Sequence, residues 1–180
     1  MVAALGLFSV VRAQETMTAE KFREIASSPG DAMSLDPKLL AVGPLWTNAI
    51  VTIDLTYADG KKFHEVIPAS IKTVKGKYVV ATVNSSLYKQ PVNTITAYNA
   101  MTGCYKSWGL YGEVVTEAIQ VYDSNYRSCS IYSALGEGSW ELGVGGSTET
   151  NKWDHTLVMK NGVLFCVRDV SVVPANPATK

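Results

Sequence analysis

From Trp46 onward, apolar and polar residues alternate with a period of two. Val51, Ile53, Leu55 and Tyr57 fall on one side of the alternation, and Thr52, Asp54 and Thr56 on the other. That is the pattern of a strand with two differently solvated faces. Asp59-Gly60 follows, a pair that tolerates positive φ and so turns a hairpin. The unit then recurs. Strand-like runs at 63–70, 78–83, 92–98, 104–108, 114–121, 127–135, 140–144, 153–160 and 163–172 are predicted. Turn-forming stretches separate most of them: Lys75-Gly76, Thr102-Gly103, 109–112, 123–125, 136–138, 145–151 and Asn161-Gly162. Pro68 marks a strand end or an edge position, because it lacks the ladder N–H. Only residues 18–28 carry helical spacing, with Thr18 as cap, Glu20 in the first turn, and Phe22, Ile25 and Ala26 on one face. Ser28-Pro29-Gly30 ends that helix, Asp36-Pro37 starts a second short turn through Leu40, and Gly43-Pro44 breaks the chain.

About ten strands joined by short loops must run antiparallel to their sequence neighbours. An open sheet of that size leaves two bare edges, and closure removes them. The prediction is therefore an all-β chain: an up-and-down antiparallel β-barrel of about 8–10 strands with a short N-terminal helix. A two-sheet sandwich is the alternative, and it needs longer crossing connections than this chain offers.

Composition narrows the partners. The chain has 180 residues, 47% of them hydrophobic, which fits one domain with a sizeable core. Lys plus Arg and Asp plus Glu balance at 16 each, without charge runs, so neither nucleic acid nor an acidic membrane is an expected partner. Residues 2–11 have the length of a signal-peptide core and are too short to span a bilayer, although no Lys or Arg precedes them. Cleavage near Ala13 makes residues 1–13 a signal peptide, 14–45 an N-terminal helical segment, 46–173 the barrel and 174–180 a disordered tail. The protein is then periplasmic or secreted; the other reading of the first residues is a packed or disordered tail. No later run approaches the ~20 apolar residues of a membrane helix, so no membrane span is expected. Cys104, Cys129 and Cys166 lack metal-site spacing. They allow one disulfide with one thiol left over, or three small buried side chains. The pairing and the oligomeric state stay open.

The chemistry-bearing residues are few. His64 and His155 form no ligand pattern, and no Gly-x-Ser-x-Gly elbow is present. Gly143 to Gly146 is followed by no Lys-Ser/Thr and no helix, so no metal and no cofactor is expected. His155 alternates with Asp154 and Thr156 and shares a strand face with Leu157 and Met159, which predicts that face to point inward. Tyr105 and Ser107 oppose Lys106 and are predicted inward too. Glu117 shares a face with Val115, Ile119 and Val121, and Tyr132 alternates with Ile131; neither pattern fixes a direction. Tyr105, Ser107, Glu117, Tyr132, His155 and Leu157 are the candidate lining of a ligand pocket.

Tyr98-Asn99, Thr102, Tyr105-Lys106-Ser107-Trp108 and Gly112-Glu113 together resemble a bacterial lipocalin-like, calycin-type family of unknown function. Its members carry Tyr-Asp, a turn, Tyr-Arg-Ser-Trp and a Gly-rich turn, so Asn99 stands here where they have Asp. Gly43-Pro44-Leu45-Trp46 is similar to their Gly-x-Trp, one residue longer, and Arg168 to an Arg on their last strand. The resemblance covers roughly residues 39–173. It implies a calycin barrel closed at its base by Trp46 and Arg168, and no established activity. A guanidinium over that indole is worth about 0.5–2 kcal/mol and would tie the first strand to the last. Three functions are therefore expected in competition. The first is carriage of a small, mostly apolar ligand inside the barrel. The second is a structural or interaction role for a filled barrel. The third is an enzyme built on Glu117 or His155.

Overall fold

The structure is a computed structural model in which residues 16–31, 38, 48–86, 91–122, 128–136, 139–146 and 155–175 are described. Trp46, the signal-like segment, the second helical turn apart from Lys38, and the tail beyond residue 175 lie outside the described residues.

Helix α1 spans Ala19–Ser27. The Thr18 side chain accepts the Lys21 N–H at 3.2 Å, and Glu20 sits in the first turn where the helix dipole favours an anion. Ten strands follow: β1 Ala49–Tyr57, β2 Lys62–Val74, β3 Tyr78–Val83, β4 Val92–Asn99, β5 Cys104–Tyr111, β6 Val114–Tyr122, β7 Ser128–Gly136, β8 Ser139–Gly146, β9 His155–Lys160 and β10 Val163–Pro174. Each pairs antiparallel with its sequence neighbours, and β1 also pairs with β10, so the ring is closed. The up-and-down barrel predicted from alternation is the architecture observed.

Two details differ from the sequence reading. The predicted turn at 109–112 is shorter, because Gly109, Leu110 and Tyr111 stay in β5, paired with Thr116, Val115 and Val114. Strand β2 continues past Pro68, which pairs with Ile50 of β1. The β3 ladder starts only at Ala69, so Pro68 has no β3 partner that would require its missing N–H. The β9–β10 turn places Asn161 (φ 49°) and Gly162 (φ 82°) both in the left-handed region, as a two-residue hairpin turn demands.

Cross-strand partners share a face, so the register carries each residue's side around the ring. Val80, Ile95, Trp108 and Glu117 form one row on the outer face. Ala81, Thr94, Gly109 and Thr116 form a row on the inner face. The inner face holds buried residues on β1, β2, β5, β9 and β10, among them Val51, Leu55, Ile67, Tyr105, Val158 and Cys166. The outer face carries Asp54 and His64, more than half exposed and paired at 2.7 Å.

Helix α1 lies against the outer wall. Phe22 and Ile25, each 1% exposed, pack with Val74, Tyr78, Val80, Ile95 and Trp108. Its last turn has no basic residue of its own. Lys72 of β2 supplies one, donating from Nζ to the Ala26 and Ser28 carbonyls at 2.8 and 2.6 Å. That places a cation at the negative end of the helix dipole and satisfies two end carbonyls. Arg23 bonds the Glu113 carboxylate and the Gly112 carbonyl, and Glu24 pairs with Lys75. The helix is thus fastened at both ends of the wall.

Candidate functional site

The inner surface of β4, β5 and β6 brings hydroxyl, amide and aromatic groups together. Their register makes two rungs: Tyr98, Tyr105 and Gln120 on one, Thr96, Ser107 and Ala118 on the next. Gln120 Nε2 donates to Ser107 Oγ at 2.7 Å, and the Tyr122 hydroxyl donates to Gln120 Oε1 at 3.2 Å. Ser107 Oγ and Thr96 Oγ1 lie 2.8 Å apart. One hydroxyl of that pair donates to the other, which leaves a single O–H proton of the pair for a further acceptor.

The rings pack beside this chain. Tyr98 and Tyr105 have centroids 5.1 Å apart, and Tyr105 meets Tyr122 edge to face at 5.1 Å. Such pairs contribute about 0.5–1.5 kcal/mol each beyond area burial. Tyr105 is 2% exposed, and its hydroxyl donates to the Lys38 carbonyl at 2.6 Å. Lys38 Nζ sits 5.7 Å from the Tyr98 ring centroid. Residue 38 therefore lies at the end of the barrel where these tyrosines cluster.

On the other side of the ring the lining is largely apolar, with Glu65 on β2 and Arg168 on β10 set within it. Ala49, Val51, Ile67 and Ala69 are buried there, with Ile53, Val83, Val170 and Val172 packed against them. The interior thus has a hydrogen-bonding wall on β4–β6 and a largely apolar wall on β10, β1, β2 and β3. A ten-stranded ring is wider than the eight-stranded barrels that hold one small ligand.

Of the predicted pocket residues, the structure brings Tyr105 and Ser107 together on the inner face. It places Glu117 on the outer face, where Oε1 accepts from Lys106 Nζ at 2.7 Å and Oε2 from Trp108 Nε1 at 2.9 Å. Leu157 also lies outward: it pairs with Val144, in the same rung as Val121, and is 41% exposed. The register position of His155 is on the Leu157 side of β9, and that of Tyr132 is opposite Ile119. The inward direction predicted for the His155–Leu157–Met159 face is corrected by this register. Apolar alternation identified the face, but the apolar face of β9 is its outer one. Arg168 is half-buried on the inner face between Leu55 and Thr156; its proposed partner Trp46 is outside the described residues. Cys104 and Cys166 carry free thiols on opposite faces of the wall, and burial pushes the Cys166 thiol up. Among the described residues no cluster of His, Cys, Asp or Glu is placed to hold a metal ion, and no helix is long and apolar enough to cross a membrane.

Residues that the sequence did not single out complete the site. Thr96, Gln120 and Tyr122 each lie two residues along their strand from Tyr98, Ala118 and Gln120, and only the cross-strand register joins them to Ser107. Glu65, on the inner face of β2, accepts hydrogen bonds from the Ser85 hydroxyl and the Ser86 N–H at the opposite end of the barrel. These bonds to the charged form hold its carboxyl below the usual carboxylate range. A depressed folded-state pKa contributes stability that is complete above the unfolded value and lost as pH falls through the folded one. Replacing Glu65 with Gln is therefore expected to lower the urea midpoint at neutral pH. The difference from the parent chain should shrink as the titration passes below about pH 4; a gap that stays constant down to acid would exclude the carboxylate as its source.

Comparison with known protein families, curated proteins and solved structures finds no match to this chain.

Proposed function

We propose that this chain is an exported, lipocalin-like binding protein that takes a small, mostly apolar ligand bearing one acceptor oxygen into its barrel. The observation that carries this reading is the spare O–H of the Thr96–Ser107 pair, set in a tyrosine-lined wall that faces an apolar one. An apolar ligand body would lie along Val51, Ile67 and Val170, and its carbonyl or hydroxyl oxygen would take the free proton. Gln120 already donates to Ser107 Oγ at 2.7 Å, so the hydroxyl pair is held in place before the ligand arrives. The resemblance to the lipocalin-like family supports the same reading, as does a signal-like N-terminus for a carrier that works outside the cytoplasm. The competing role, a filled barrel that binds nothing, predicts no saturable site.

Titration of the full chain with 11-(dansylamino)undecanoic acid tests it. Saturable fluorescence enhancement is expected. Ser107→Val should weaken it roughly tenfold, the worth of one hydrogen bond in a dry site. Leu157→Lys, on the outer wall, should leave it unchanged. Binding that follows Leu157 and ignores Ser107 would place the probe outside the barrel and sink the proposal.

A further inference from the structure

The outer wall has three sectors. Helix α1 covers β3 to β5. Strands β10, β1 and β2 present Asp169, Asp54, Lys62 and His64, a solvated surface. Between these lies a wall of different character. Two consecutive rungs cross five strands, one through Val121, Ser130, Val144, Leu157 and Val167. The other passes through Ile119, Tyr132, Leu142, Met159 and Leu164. None of these ten positions is charged. Ile119, Val121, Val144, Leu157 and Leu164 are 38–50% exposed.

Scattered apolar residues on a surface need no explanation, but these are contiguous along two rungs. They leave roughly 400 Å² of apolar surface bare, the size of the largest and often functional patch on a monomer. A stable dimer hides about 800 Å² per partner, with an apolar centre inside a polar rim. The β6–β10 wall has the size of such a centre, and Glu117, paired with Lys106, supplies a rim on its β6 side. An uncharged antiparallel wall offers no sign pattern to select a different partner. It can stack on its own copy at the ordinary sheet-to-sheet spacing of about 10 Å. We propose that the outer wall of β6–β10 is a self-association face, on which a second copy of this chain packs across a two-fold axis.

Sedimentation velocity of the full chain over a dilution series tests this. A concentration-dependent dimer is expected. Leu157→Lys and Val121→Glu should each weaken self-association about 100-fold or more, because each sets a charge in the apolar centre. Both side chains are exposed in the single chain, so circular dichroism should stay that of the parent. Val66→Asp, at a 56% exposed position on the polar sector, should leave the dimer intact. A parent chain that stays monomeric at the highest concentration overturns the proposal, whether the wall then floats with phosphatidylcholine vesicles or binds nothing. A dimer that both outer-wall variants retain overturns it equally.

Discussion

Phe22→Ala is expected to cost about 3–5 kcal/mol, the range for removing a buried aromatic ring. Phe22 is 1% exposed and lies at the centre of the contact between α1 and the wall. An isolated nine-residue helix is not stable in water, so α1 persists through its docking. Loss of the ring removes the anchor while the Arg23–Glu113 and Glu24–Lys75 pairs remain, and exposed ion pairs contribute little. The undocked helix would leave Val74, Val80 and Ile95 bare to water. A lowered chemical-denaturation midpoint, together with faster amide exchange in residues 19–27, checks this. If the midpoint falls while exchange in the helix is unchanged, the helix is not held by this side chain.

The second large effect is at Tyr105. Tyr105→Ala should destabilise by about 3–5 kcal/mol, as other aromatic deletions in a core do. It should also abolish binding of the dansyl probe, since the ring joins Tyr98 to Tyr122 beside Ser107. Tyr105→Phe separates the two roles. It keeps both ring contacts and loses the hydrogen bond to the Lys38 carbonyl, which costs about 1 kcal/mol. Probe affinity in the Phe variant should remain near that of the parent. If Phe weakens the probe as much as Ala does, the hydroxyl itself is the recognition group.

The ten strands were legible because each carries alternation and most end in a turn that needs Gly, Asn or Asp. Asn161-Gly162 is the clearest case, since its two positive φ angles are what that dipeptide accommodates. The direction of each face was legible only where a charge marks one side, as Lys106 does between Tyr105 and Ser107. On β9 both sides of the reading failed to separate: Leu157 and Met159 are apolar, yet their wall faces out, while Thr156 and Val158 are the buried pair. A period of two says that two faces exist and leaves their sides open. Glu117 illustrates the same limit, with Val115 and Ile119 as companions on a wall partly covered by a helix from nearly a hundred residues away. The Thr96–Ser107–Gln120–Tyr122 chain was out of reach for a further reason. It depends on the register of three strands, and a shift of one residue would have scattered it to both faces.

The β1–β10 seam has a mechanical consequence. Ala49 stands opposite Pro174, and the Ala175 N–H donates to the Asn48 carbonyl, so both ends of the ring leave the same rim side by side. A force that draws them apart loads the seam one rung at a time, in the manner of a zip, rather than shearing all its rungs together. The ring is also sealed by residues more than a hundred positions apart, so this seam is the last to gain from chain closure and the first to yield under tension.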